Sequence, residues 1–285
     1  MIKMVNDINN ITIREILNDD VVMVSKKDII YCLSYCLNKN ESFVITNQNY
    51  VLTDLEYKKL EKLIFDLRSG KPLSYVLGNQ PFYKYNFYVD ENVLIPRSET
   101  EIIIDKILHI GDQCFKKSNK LTIIDLGTGS GCIGISLAIE RPKWNIVLVD
   151  KYVTVSEILK KNLKKYNVSN AQFILSDWLD AIAPNSIDII VANPPYVDYN
   201  CPEADQSVKL HEPQTALFSC AGGYEDLKKI IIQAKNKLRK GGTLLMENGF
   251  NQSYDIKQYL QQNEYKDINI LLDYNKIQRF TMSKV

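Results

Sequence analysis

After residue 120 the chain repeats one arrangement: a short apolar run, then an amphipathic one. LTIIDLG precedes GCIGISLAIE, NIVLVD precedes VSEILKKNLKKY, then come AQFILSD and IDIIVAN, and EDLKKIIIQAKNKLRKGG leads into GTLLMENGF. Strands that are apolar throughout must be covered on both faces, and helices between successive strands supply that cover. The pattern therefore predicts an α/β fold with a mainly parallel sheet between two helical layers. The closing INILLDYNKIQRFTMS reads as two strands about an Asn-containing turn, which adds an antiparallel strand at or near the sheet's end. KNKLRKGG places cations at a helix C-terminus ahead of a glycine stop.

The first part of the chain reads differently. Residues 1–80 carry helical spacing, with Ser25 ahead of DIIYCLSYCL and a capping box at Thr53 and Glu56. They hold no catalytic constellation, and their charges read as solvated faces. Residues 81–96, PFYKYNFYVDENVLIP, alternate like a short hairpin linker. From 97 to 285 runs the catalytic domain, opening at RSETEIIIDKIL with Ser98 and Glu101 spaced for a second capping box.

Composition narrows the classes of function. Thirty-five basic against 34 acidic residues leave a net charge of +1, unlike a dedicated nucleic-acid binder. Six cysteines (32, 36, 114, 132, 201 and 220) form no C-x-x-C pair, and only two histidines accompany them, so no metal site is expected. Scattered free thiols suit a reducing cytosol, and MIKMVNDINN lacks an apolar leader. The expectation is a cytoplasmic monomer with no membrane segment and no direct contact to nucleic acid.

IIDLGTGSGCIG joins the first strand of the repeat to its helix, where ligands of open α/β sheets bind. Gly127, Gly129 and Gly131, with Thr128 and Ser130 between them, allow a tight turn and close approach to the backbone. Asp150 ends the next strand, placed to accept from ribose hydroxyls. Gly129-Ser-Gly131-Cys-Ile-Gly134 with Asp150 also fits a dinucleotide fingerprint, and taken alone leaves a nicotinamide dehydrogenase open. Asp125 beside the loop argues for a cofactor with a cationic head. Asp177 and Trp178, in SDW, then offer a carboxylate and a ring to an adenine.

VANPPYV closes the fourth strand, which should lie beside the first across a switch of winding. Its prolines stop the ladder and stiffen the segment after it. A hydride-transfer enzyme would need an acid–base group here, and none is present. The Asn193 side-chain oxygen and the Pro194 carbonyl instead offer two acceptors to a planar NH2 group, with Pro195 and the Tyr196 ring as a wall. Such acceptors strengthen as the nitrogen becomes positive, so methyl transfer to an amide nitrogen needs neither Cys, His nor metal.

In these features the chain resembles the bacterial protein-glutamine N5-methyltransferases of peptide chain release factors. The matching stretches run nearly end to end: LRSGKPLSYVLG, VLIPRSETE, IIDLGTGSG, VLVD, SDW, NPPYV, HEPQTALF, GGTLLMENGF and the closing RF. NPPY alone is shared with amino-methyltransferases of DNA and RNA bases, whereas PLSYVLG followed by IPRSETE is specific to this family. The resemblance implies a helical N-terminal domain that grips the release factor. It implies a class I methyltransferase domain, Rossmann-like, with a seven-stranded, mainly parallel sheet. S-adenosylmethionine would be methyl donor, S-adenosylhomocysteine the product, and the Gly-Gly-Gln glutamine the target. Gly127 to Gly131, Asp150, Asp177, Trp178 and Asn193 would meet the cofactor. Asn193 to Tyr196 would hold the glutamine, with Glu212 and Pro213 at the entrance. Two departures stand out: Ser98 replaces the second proline of IPRPETE, and QPFYKYNF lacks the glycine usual after its aromatic pair. The alternatives are an amino-methyltransferase acting on adenine in DNA or guanine in ribosomal RNA, and a cofactor-binding scaffold without activity. About 80 helical residues make a poor target-recognition domain for the first, and the intact NPPY argues against the second.

Overall fold

The computed structural model describes residues 11–19, 23–200 and 206–285. The stretch MIKMVNDINN and Cys201 lie outside them. Among the described residues no helix is long and apolar enough to cross a membrane. The chain divides into two units, one ending at Gly78 and the other running from Asn79 to Val285.

The first unit is helical, with helices Ile13–Leu17, Lys26–Leu37, Glu41–Thr46, Asp54–Arg68 and Leu73–Leu77. Local chemistry starts them. Ser25 accepts from the Asp28 N–H, Asn40 from the Phe43 N–H, and Thr53 with Glu56 forms a reciprocal capping box. Inward faces carrying Ile13, Leu33, Val44, Leu60 and Ile64 make a core of their own. Cys32 and Cys36 belong to it, and burial pushes their thiols up to about 12 and about 11, so both are inert packing groups.

The second unit begins with a hairpin, β1 (Asn79–Phe82) and β2 (Tyr85–Tyr88), turned at Tyr83, whose φ is 57°. Expected as a linker, the hairpin is part of this unit: Phe82 and Phe87 are fully buried in its core beside Ile107 and Trp144. The expected capping box at Ser98 does not form. Ser98 donates to Glu99 instead, and a 3-10 turn over Ser98–Glu101 leads into the helix Ile102–Ser118.

The main sheet has seven strands. In chain order they are β3 (Thr122–Leu126), β4 (Asn145–Asp150), β5 (Ala171–Leu175), β6 (Ile187–Ala192), β9 (Leu238–Glu247), β10 (Lys266–Leu272) and β11 (Gln278–Lys284); a two-stranded pair, β7 (Val197–Asp198) with β8 (Phe218–Ser219), lies apart. The sheet order is β10-β11-β9-β6-β3-β4-β5, and only β11 runs antiparallel to its neighbours. Side chains alternate across it. Ile123, Ile189 and Val191 face helices Ile102–Ser118, Cys132–Glu140 and Ser156–Lys165, while Ile124, Ile190 and Ala192 face Glu225–Lys237 and Ser253–Gln262. The expected glycine stop is also revised. The helix ends at Lys237, and Gly241 and Gly242 fall inside β9, where the pairing with β6 skips from Leu238 to Thr243. A Cβ on Gly242 would stand 2.8 Å from the Arg239 carbonyl oxygen, so the pair serves a bulge and not a helix end.

Because β3 lies between β4 and β6, the winding reverses at its carboxyl end. The ends of β3, β4 and β6 open on one crevice.

Candidate active site

A cavity of about 370 Å³ occupies that crevice. Gly127 to Ser130 line it, as do Asp150, Trp178, Asn193, Pro195 and Pro213; Gly131, Asp177, Pro194, Tyr196 and Glu212 are not among its lining residues.

The glycine loop is held from below. Gly127 and Thr128 both donate backbone N–H groups to the Val149 carbonyl at 2.9 Å. Positive φ values at Gly127, Gly129 and Gly131 let the chain turn here. Gly131 is also closed in sterically, since a Cβ would stand 2.5 Å from Leu159 Cδ1. The buried Asn162 amide ties the loop to the hairpin, donating to the Ser130 and Tyr88 carbonyls and accepting from the Tyr88 N–H.

The aspartates divide in three. Asp125, 1% exposed, does not face a ligand: its Oδ2 accepts from Thr128 Oγ1 at 2.6 Å and from the Gly134 N–H at 2.9 Å. Burial raises its carboxyl to about 6. Its place in the loop is architectural, and the inference drawn from it about a cationic ligand lapses. Asp150 accepts from the Gly129 N–H through Oδ2 and from the Tyr152 N–H through Oδ1, both at 3.0 Å, and still borders the cavity. Burial raises its carboxyl as well. Asp177 pairs with Lys229 at 2.9 Å and Lys151 at 3.3 Å, which hold it below the usual carboxylate range. Its expected place beside an adenine is not supported by this geometry.

A different carboxylate serves Trp178. Asp226 accepts from Trp178 Nε1 at 3.1 Å and from Ser219 Oγ at 2.6 Å, and it lines the cavity. The indole lies over the glycine loop, 3.3 Å from where a Gly127 Cβ would stand. Sequence reasoning misses Asp226 because nothing in EDLKK distinguishes it from a helix-start acid.

Across the cavity stands the end of β6. Asn193 Nδ2 donates to Thr100 Oγ1 at 3.3 Å. Tyr196 turns inward instead of walling the cavity, and its hydroxyl donates to Glu247 Oε1 at 2.9 Å. Tyr199 and Phe218, whose rings stack at 4.9 Å, line the cavity. Glu212 clamps the opposite rim, accepting from Arg97 Nη2 at 2.6 Å and from the Ile95 N–H at 3.1 Å. That clamp brings Pro96, Arg97 and Thr100 to the cavity.

The family described as Methyltransferase small domain matches residues 104–209, and the PrmC N-terminal domain matches residues 13–78. The release factor glutamine methyltransferase of Francisella tularensis is 35% identical over 92% of this chain and 91% of its own. The Escherichia coli protein of that name is 31% identical over 91% of this chain and 92% of its own. Among solved structures, the N-terminal domain of human METTL16 in complex with SAH superposes with a TM-score of 0.52 at 18% identity, over 88% of this chain and 93% of that one. A Pyrococcus furiosus methyltransferase gives 0.51 at 13% identity, over 80% and 98%. The two superpositions establish a methyltransferase fold. The sequence relatives go further, and the chain belongs to the release factor glutamine methyltransferase family.

Proposed function

We propose that this enzyme transfers a methyl group from S-adenosylmethionine to the side-chain amide nitrogen of the Gly-Gly-Gln glutamine of peptide chain release factors, in the cytoplasm. One observation carries the reading. Asn193 comes directly after β6, the neighbour of β3, whose glycine loop forms the adjoining wall of the same cavity.

The residues present fit such a cofactor. The loop leaves Gly129 open, with nothing within 4 Å of where its Cβ would be, so a ligand can reach the backbone. The Asp150 carboxylate takes backbone N–H groups from Gly129 and Tyr152, and its two oxygens have further lone pairs to offer a ribose hydroxyl. Trp178, held by Asp226, offers a ring face to the adenine. S-adenosylmethionine, when bound, supplies an electrophilic methyl on sulfur. The Asn193 side-chain oxygen and the Pro194 carbonyl accept from the two hydrogens of the glutamine NH2 and hold its nitrogen in line. These bonds strengthen as positive charge grows on nitrogen, and the proton leaves to water after transfer. No residue need act as base.

Mass spectrometry of a release factor incubated with the enzyme and isotopically labelled S-adenosylmethionine tests this directly. One labelled methyl on the Gly-Gly-Gln glutamine is expected. An unmodified glutamine, or label incorporated into DNA or RNA under matched conditions, would overturn the assignment.

A further inference from the structure

Asn193 can serve as an acceptor only if its amide is oriented with oxygen toward the substrate, and nothing within NPPY fixes that orientation. The residues behind it do. Thr100 Oγ1 donates its single proton to Glu247 Oε2 at 2.6 Å. With that proton committed, the Thr100 oxygen faces Asn193 as an acceptor, so the Asn193 NH2 must turn toward it, as observed at 3.3 Å. The reversed amide would set two oxygens against each other. Glu247 is 2% exposed and its other oxygen accepts from Tyr196. A carboxylate that only accepts thus imposes a direction on the whole chain of bonds. Burial raises the Glu247 carboxyl above the ordinary value, an effect that the Thr100 and Tyr196 hydroxyls and Arg279 oppose and Glu99 adds to.

We propose that Glu247, acting through Thr100, is the positioning residue that fixes the Asn193 amide with Oδ1 available to the substrate nitrogen, while its second oxygen secures Tyr196 at the far end of the motif. The proposal rests on the methyl-transfer reading above. It adds two residues from distant parts of the chain, at the start of one helix and the end of β9, that the motif itself does not contain. Neither touches the reacting atoms.

The test compares Thr100→Val, Thr100→Ser and Glu247→Gln in the full-length protein, with release factor as substrate. Valine keeps the shape of threonine without its hydroxyl, and serine keeps the hydroxyl. Thr100→Val should lower kcat by on the order of 30-fold, with KM for release factor and affinity for S-adenosylmethionine each within about threefold of wild type. Thr100→Ser should retain kcat within about threefold. Glu247→Gln should resemble Thr100→Val, because its NH2 can donate to Thr100 and turn the hydroxyl proton toward Asn193, reversing the amide. Thr100→Val with near-wild-type kcat, or equal losses in the Val and Ser variants, would overturn the relay. So would a loss confined to cofactor affinity or thermal midpoint, which a purely structural threonine would give. Should Glu247→Gln fail to fold, the Thr100 pair still decides. If wild type leaves the glutamine unmethylated, the functional reading falls and the relay with it; if wild type is active and Thr100→Val equally so, the relay alone falls.

Discussion

Asp125 shows how much a single buried carboxyl can weigh on stability. Burial raises it from 3.8 to about 6, with Thr128 and Gly134 offsetting only part of the penalty. The folded state therefore holds this proton more tightly than the unfolded chain does. Its contribution is full below about pH 4 and is lost as pH rises through about 6. A difference of that size corresponds to at most roughly 3 kcal/mol. Asp125→Asn keeps an oxygen for Thr128 and Gly134 but cannot ionise. It should leave the protein more stable than wild type at pH 7 by about 1–3 kcal/mol, with the gap closing toward pH 4. Urea midpoints across that range would show it, and parallel curves for the two proteins would refute it. From the sequence, Asp125 points to a cationic cofactor head and Asp150 to a ribose. Only their neighbours separate a loop strut from a cavity wall.

At the scale of elements, the helix Cys132–Glu140 sits unusually close to the sheet. Gly134 makes that possible: a Cβ there would stand 2.2 Å from Leu148 Cδ2 and 3.0 Å from Asp125 Cβ. Helix propensity would favour alanine at this position by about 1 kcal/mol. Overpacking against a central strand costs about 1–3 kcal/mol, and Leu148, fully buried on β4, has nowhere to move. The clash wins. Gly134→Ala should destabilise the protein by up to about 2 kcal/mol in urea titration, and a raised midpoint would disprove the close-packing argument. The same comparison of local against distant forces explains the helix starts. Thr53 and Glu56 cap their own helix, so three residues of spacing sufficed to read it. Ser98 has the same spacing but lies between Arg97, bound to Glu212, and Thr100, bound to Glu247, and these distant partners set the geometry.

For the whole molecule, each unit buries its own apolar core, residues from Ile13 to Ile64 in one and from Phe82 to Phe280 in the other. A fragment should begin at Asn79, not within the hairpin, because removing Phe82 would open the core. We expect residues 79–285 to bind S-adenosylmethionine with affinity within about threefold of the full chain. If the helical unit grips the protein substrate, that fragment should methylate intact release factor at least about tenfold less efficiently, while a short Gly-Gly-Gln peptide loses little. Equal losses on peptide and protein would mean that the helical unit only stabilises its neighbour. Calorimetry and a methyl-transfer assay on both substrates make the comparison.

What the sequence determined by itself was whatever depends on period and near neighbours. Apolar runs alternating with amphipathic ones dictated the layered sheet, and prolines after Asn193 ended β6 at the cavity. Glycines at 127, 129 and 131 required the loop, whose positive φ values other residues adopt at a cost. Tertiary structure decided which polar groups face the cavity, because that depends on partners far along the chain. Asp177 was drawn off by Lys229, 52 residues away, and Tyr196 by Glu247, 51 residues away. Asp226 reached Trp178 across 48 residues, and Thr100 met Asn193 across 93. A side chain's residue type tells what it can bond; only the fold tells which bond is nearest, and in a buried site the nearest partner settles its role.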